Sequence, residues 1–394
     1  MPHLDTLDRH LHAEAAAMVA FRHDLHRHPE LSRTEHRTTD RLEAALADLR
    51  DAGRLRIRRG PAGLGLIVDA GPEGSPRTCL RADIDALAVS EESGVAFAST
   101  HPGVMHACGH DVHTTAILAA TRALAVCAPD RRFRFLFQPA EEATPGGSLD
   151  LIAAGALEGV SSILTLHCDP TRPVGRVGLQ AGPLTAAADV FEVQLLGQGG
   201  HGARPHETQD LVLAGCQAVQ ALYHAFDRGV DARTPLSISV GTFHAGSSSA
   251  NVIPAELRFT GTIRTTERAA RDAAPAIVRR VLDAVCGLWQ VRHDLEIRRG
   301  APSVYNDSAL VEALRTACQA VLGPEAIDPP GLPSMGGEDF AWYLDHVPGA
   351  LLRVGSGVGA PLHSARFVAD DAAITPAARI LARTARALAE SGLP

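Results

Sequence analysis

The sequence predicts an α/β fold with a smaller α+β module inserted in its second half. Three observations predict it. Short apolar strands alternate with amphipathic helices through the first part of the chain and resume that alternation near the end, as in a sheet with helices packed on it. Between about 186 and 298 the rhythm changes to strand, helix, strand, strand, helix, strand, the order of a ferredoxin-like module. Asp83, Glu141, Glu142 and His167 all fall at or just past the ends of apolar strands, which is where open α/β sheets bind ligands. A chain of 394 residues has room for two or three domains. The expected division is 1–185, 186–298 and 299–394, with the outer segments forming one interrupted domain.

Taken in order, residues 4–28 carry Leu4, Leu7, Leu11, Ala15, Met18, Phe21 and Leu25 at helical spacing, and Pro29 ends that helix. A second helix follows, with Thr34 as its cap and Leu42, Leu46 and Leu49 as its stripe. Residues 63–68 and 78–83 read as short strands. The stretch 106–113 then places three histidines, Cys108 and Asp111 around Gly109, a density of ligands suited to a transition metal. Cys108 and His110, two apart, point the same way if the segment is extended. A helix over 114–126 is expected directly after it. Phe133, Phe135 and Phe137 alternate as a strand that runs into Glu141-Glu142, and 161–167 is a buried strand ending in His167. The inserted part has strands at 190–195, 237–243, 257–263 and 291–297, with helices at 210–226 and 268–288. Helices over 307–322 and 374–390 close the chain around a Pro/Gly-rich turn and the stretch Met335 to Phe340.

Bulk composition narrows the function. Charge is balanced along the chain, with a net value of −8 and no basic stripe, so no nucleic-acid partner is expected. No apolar run nears the ~20 residues of a membrane span, and the first residues lack a signal-peptide core. Seven scattered cysteines argue for reduced thiols and a cytoplasmic location.

Adjacent glutamates at a strand end leave it on opposite sides, so Glu142 can bind a metal while Glu141 faces a reacting water, or the reverse. Such a pair is more often a solvated surface; its place after the apolar 133–137 run favours function. His167 and His363 each read equally well as core residues or as ligands, and Asp83 or Asp85 could join them. Nine motifs in order then decide the matter: LHRHPELS (25–32), RADIDAL (81–87), HACGHD (106–111), FQPAEE (137–142), GGHGARPH (199–206), NVIP (251–254), GTIR (261–264), MGGEDF (335–340) and LHS (362–364). The chain resembles the M20 metallopeptidase family, in its subgroup of N-acyl-amino-acid amidohydrolases (aminoacylase, hippurate hydrolase and auxin-conjugate hydrolase relatives).

That resemblance implies a Zn-peptidase-like catalytic domain with a mixed sheet flanked by helices, and an inserted lid and dimerisation domain. It implies two divalent ions per subunit, Zn²⁺ ahead of Mn²⁺ or Co²⁺, held by Cys108, His110, Glu142, His167 and His363. Cys108 stands where relatives outside the subgroup have a bridging aspartate, and Glu141 becomes the general base. His201 would reach across a homodimer, or a dimer of dimers, to the tetrahedral oxyanion. Asn251 and Arg264 would hold the substrate carboxylate, and Gly336 and Gly337 would admit the substrate close to the backbone. Asp83 would orient a metal-binding histidine and Asp111 would fix an imidazole, leaving His106 and His113 in supporting roles. The expected reaction is N-acyl-L-amino acid plus water giving a carboxylic acid and an amino acid. A dipeptidase, a carboxypeptidase-type enzyme or a pathway-specific deacylase of the same fold is the alternative. A metal-free scaffold homodimer is disfavoured by the intact ligand set, and a redox role for Cys108 and Cys168 by the lack of a Cys-x-x-Cys motif. Three positions depart from the family pattern: Arg81 replaces a histidine, Ala107 a methionine, and Cys168 an apolar or aromatic residue. Ala107 and Cys168 are expected to line the acyl pocket.

Overall fold

The computed structural model describes residues 2–74, 77–246 and 249–391, with side chains from Thr6 onward; the Leu4 side chain, expected on the first helical stripe, lies outside these. The chain divides into two compact units, one running to Gly182 and including Tyr305–Leu332 and Asp339 onward, the other Pro183–Val304 with Pro333–Glu338.

The first unit is built on an eight-stranded mixed sheet in the order Leu55–Arg59, Leu66–Ala70, Phe133–Gln138, Arg77–Asp83, Val160–Asp169, Gly349–Gly355, Val177–Gly178, Ile327–Asp328. Its four central strands run parallel. Phe133–Gln138 is buried along its whole length, as a strand covered on both faces should be; Phe133, Phe135 and Phe137 share one face, and Arg134, Leu136 and Gln138 the other. Helices Pro2–Arg27, His110–Cys127 and Ile374–Ser391 pack on one another. Leu7, Leu11, Leu25, Ala116, Leu124, Ile380 and Leu381 join Leu80, Leu164, Leu166 and Leu352 of the strands in one core.

Several boundaries move. The helix expected from residue 114 begins at His110, so half of the ligand-rich stretch is helical. The second helix is His36–Ala45, capped in position by Glu35; Thr34 instead donates its hydroxyl to Leu31 O, and Leu49 falls on a separate turn, Ala47–Asp51. Leu55–Arg59 escapes sequence reading because three of its five residues are arginines on an edge strand.

The second unit has the strand–helix–strand–strand–helix–strand order expected of it. Its antiparallel sheet runs Leu236–Ala245, Glu256–Thr265, Ala187–Leu196, Arg292–Arg298, with helices Leu211–Gly229 and Arg268–Trp289. Ala187–Leu196 alternates strictly between buried and half-buried residues, so one face carries the core and the other does not. Phe191, Val193, Phe259, Leu222, Val278 and Leu282 fill that core. Asp210 caps the first helix by accepting the Leu213 N–H at 3.0 Å.

Candidate metal centre and active site

Gly109 creates the local geometry. Its φ of 87° lies in the left-handed region, and it stands at the N-cap of helix His110–Cys127. The turn, rather than an extended segment, is what brings Cys108 and His110 together. A side chain here would also collide with Cys168, whose Sγ lies 2.8 Å from where a Cβ would sit.

Five of the sequence-derived ligands converge. Donor atoms of Cys108, His110 and His167 lie within 4.8 Å of one another, and so do those of Cys108, Glu142 and His363. The two groups share Cys108. His167 donates Nδ1–H to Cys168 O at 2.7 Å, which leaves Nε2 with its lone pair 3.5 Å from Cys108 Sγ. His110 donates Nδ1–H to Asp85 O at 2.9 Å, with Asp85 Oδ1 at 3.2 Å. Its Nε2, buried and making no hydrogen bond, sits 3.9 Å from both Glu142 Oε1 and Glu141 Oε2. His363 enters from a loop, with φ 64° and its N–H on Ala107 O at 2.8 Å; its Nε2 is 3.2 Å from Glu142 Oε1.

The cluster's charges show what it wants. Burial alone would raise the Cys108 thiol, but His167 and His110 outweigh it and hold it near 6, so the sulfur is largely thiolate at neutral pH. Glu142 is lowered despite its burial, through His363 and His110. In turn Cys108 and Glu142 raise His363 to about 10, and Asp83 and Cys108 overcome burial to raise His110 well above its usual value. The Cys108 thiolate and the Glu142 carboxylate thus draw positive charge, as protons, onto the His110 and His363 rings. A divalent cation supplies that charge in place of the protons, and binding to such a set releases them. With a buried, bondless imidazole nitrogen aimed into it, the donor set fits a metal pair.

Around the cluster the structure corrects the role of Asp83 and the pocket placement of Ala107 and Cys168. Asp83 does not orient His110: its Oδ1 is 3.9 Å from His110 Nδ1 and 2.7 Å from that of His113, while Arg81 takes its other oxygen at 2.7 Å. His113 passes the contact on by accepting the Cys168 N–H at 2.8 Å. Asp85 is the residue that orients His110, and its Oδ2 also accepts the Glu142 N–H at 3.0 Å. Asp111 does fix an imidazole, but that of His26 (2.9 Å), together with the Arg22 guanidinium (2.8 Å). His106 is buried without a hydrogen bond on either ring nitrogen. Ala107 and Cys168 are both buried rather than open to a pocket: Cys168 packs under Gly109, and burial raises its thiol well above the usual range.

Glu141 accepts the Asp339 N–H at a long 3.4 Å and shows 11% of its side chain to solvent. In the second unit His201 and Asn251 are neighbours. A two-residue ribbon pairs His201 with Val252, and Gly202 N–H reaches Asn251 O at 2.8 Å. Both are exposed. Arg264, on strand Glu256–Thr265, donates to Met335 O at 2.9 Å. Neither Gly336 nor Gly337 has a positive φ; a side chain at Gly336 would crowd Ser334 Oγ at 3.2 Å, whereas at Gly337 the nearest atom is 3.9 Å away, so packing within this unit does not itself demand glycine at 337. Sequence reasoning named Asp85 only as a possible ligand and missed Glu35, Arg22 and His26. Arg22 and His26, four apart beside Phe21 and Leu25, sit on the edge of a buried helical stripe, and that spacing was the available signal.

Comparison with known proteins agrees with this geometry. The model of Peptidase family M20/M25/M40 matches residues 79–387. A Rhodococcus jostii protein named "Putative glutamate--cysteine ligase 2-3" is 43% identical over 95% of this chain, which spans only 47% of that longer protein. An N-acetyl-L-cysteine deacetylase of Bacillus subtilis is 36% identical over 98% of this chain and 90% of its own. Among solved structures, the Bacillus subtilis YXEP protein, described as a dinuclear metal binding peptidase from the M20 family, superposes with a TM-score of 0.84 at 33% identity, covering 96% of this chain and 99% of its own. The chain belongs to peptidase family M20/M25/M40, in the amidohydrolase subgroup of those dinuclear-metal hydrolases.

Proposed function

We propose that the chain hydrolyses the amide bond of N-acyl-L-amino acids, releasing a carboxylic acid and a free amino acid. The observation that carries this reading is the pair of three-residue donor groups sharing Cys108, with Glu141 beside them. Cys108, His110, Glu142, His167 and His363 hold two divalent ions, with Zn²⁺ ahead of Mn²⁺ or Co²⁺ because a thiolate is among the ligands. Ions held there would supply Lewis-acid polarisation of the scissile carbonyl and a more acidic water.

Glu141 is the general base. It takes the proton from the attacking water and carries it to the leaving nitrogen, so the amine departs neutral. Asp85 keeps His110 in the tautomer that leaves Nε2 free to bind. Arg264 and Asn251 hold the substrate carboxylate; the planar guanidinium matches a carboxylate with two parallel hydrogen bonds. Gly336 and Gly337 let the substrate lie against the backbone. His201 donates to the tetrahedral oxyanion from a second copy of the chain, in a cytoplasmic homodimer formed through the inserted domain of residues 186–298. Exposed apolar side chains on that domain (Val212, Leu213, Tyr223, Phe243 and Val252) support a covered face there. The relative named as an N-acetyl-L-cysteine deacetylase supports the acyl–nitrogen bond as the one cleaved.

The test is a matrix of acyl groups against amino acids, N-acetyl-L-cysteine included, with metal-depleted protein resupplied with Zn²⁺, Mn²⁺ or Co²⁺. Hydrolysis that returns with metal and fails in Glu141→Ala is the expected outcome. Cleavage of dipeptides in strong preference to N-acyl amino acids would replace this reading with a dipeptidase.

A further inference from the structure

Glu35 is a buried acid with no part in the chemistry so far described. It stands at the N-cap position of helix His36–Ala45, where an acidic side chain ordinarily accepts an N–H of its own helix. Its carboxylate makes no such bond. It turns instead to a segment 105 residues away, and Oε1 accepts the Ala140 N–H at 2.7 Å. The backbone of Glu35 is anchored as well: Thr39 donates its hydroxyl to Glu35 O at 2.7 Å and accepts the Gly65 N–H at 2.8 Å.

Ala140 is the residue just before the glutamate pair. It is buried and has φ 54°, a left-handed conformation that brings Cβ against the backbone. Such conformations persist only where the surroundings over-determine them, and they gather at functional sites. Here three hydrogen bonds do so. Glu35 takes the Ala140 N–H, Gly147 donates its N–H to Ala140 O at 2.8 Å, and Asp85 takes the Glu142 N–H. Glu141 is thereby held between two clamped peptide units, and its direction follows from theirs.

We propose that Glu35 is a positioning residue for the hydrolysis: by accepting the Ala140 N–H it holds the left-handed turn that aims Glu141 at the attacking water and Glu142 at the donor cluster. This rests on Glu141 being the general base. Among the described residues the Glu35 carboxylate bonds the Ala140 N–H and no donor atom of the cluster, so it acts through the turn. An acceptor at this position matters and its charge does not, since a glutamine places the same kind of oxygen on the same N–H.

The test compares Glu35→Gln, Glu35→Met and Glu141→Ala in the full-length, metal-loaded enzyme, with thermal melts to confirm that each is folded at assay temperature. Met fills the space of the side chain without an acceptor. In Glu35→Met, kcat is expected to fall up to about 100-fold, the cost of a roughly 1 Å misplacement, with KM within about twofold. Glu35→Gln is expected to recover to within about threefold of the parent. Hydrogen–deuterium exchange gives a second readout, independent of turnover: the Ala140 amide stays protected in the parent and in Glu35→Gln, and exchanges at least about tenfold faster in Glu35→Met. Parental kcat in Glu35→Met, or parental protection of its Ala140 amide, overturns the proposal. So does a Glu35→Gln enzyme no better than Glu35→Met. If Glu141→Ala is inactive while Glu35→Met is fully active, the base assignment stands and this proposal alone fails. If Glu141→Ala is fully active, the base assignment fails and takes this proposal with it.

Discussion

One missing methyl group at position 109 decides the centre of the molecule. Gly109 needs both its positive φ and the space that Cys168 occupies. Gly109→Ala should therefore lower the unfolding free energy by about 1–3 kcal/mol, from backbone strain plus overpacking. Denaturant melts check this, and adding Cys168→Ala should return part of the loss; no loss in the single variant would refute the close packing. Cys108 is the donor common to both groups, so Cys108→Ala should reduce bound metal below two ions per chain, read by elemental analysis beside the parent. At this scale the sequence singled out each candidate ligand by its neighbours: Cys108 and His110 by their density, Glu142 and His167 by the strands they follow, His363 by the family motif. It did not reveal which acid serves which imidazole. Asp83 and Asp85 lie two apart on one short stretch, and the choice between them depends on where the ring of His110 lands, a contact between elements that spacing does not encode. Glu35 left no signal at all, because its partner lies 105 residues away.

Among the elements, helix His110–Cys127 carries the load, and the first helix holds its N-terminal turn in place. Arg22 and His26, both buried, reach Asp111 in that turn, and His26 also approaches Glu91 Oε1 at 3.2 Å. Burial alone would lower the His26 imidazole, but Asp111 and Glu91 overcome it and raise it to about 9. The sign follows from a raised folded-state value. The contribution is fully present below the unfolded value of about 6.5 and is lost as pH rises through about 9, amounting to at most about 3 kcal/mol. The melting temperature should therefore decline between pH 7 and pH 9.5, and His26→Asn should flatten most of that decline; an equally steep decline in the variant would contradict it. The helices were legible from their apolar stripes, yet the start of this one was not. Histidines and an aspartate in its first turn look like loop residues until Gly109 is seen to cap it, since ligands and helix compete for the same letters.

For the molecule as a whole, alternation of strands and helices gave the α/β class, and the change of rhythm after residue 186 gave the inserted α+β module, because burial on one face or two writes a different period into each strand. The sheet order was not readable: strand Gly349–Gly355 pairs with Val160–Asp169 from far along the chain, and nothing local announces it. The exposed apolar residues of helix Leu211–Gly229 bear on assembly. Leu213→Asp should shift a homodimer toward monomer in sedimentation velocity while leaving the bound metal unchanged; a monomeric parent would remove the proposed role of His201 in the partner's reaction. The central claim is that the donor cluster and Glu141 together hydrolyse an N-acyl amino acid. Its most direct test is release of free amino acid from N-acyl-L-amino acids by metal-depleted protein, before and after restoring two equivalents of Zn²⁺ or Mn²⁺, in the parent and in Glu141→Ala. Metal-dependent release in the parent, reduced by about 10²–10⁴-fold in the variant at equal metal content, is the expected result; release that survives chelation, or that Glu141→Ala leaves intact, would contradict it.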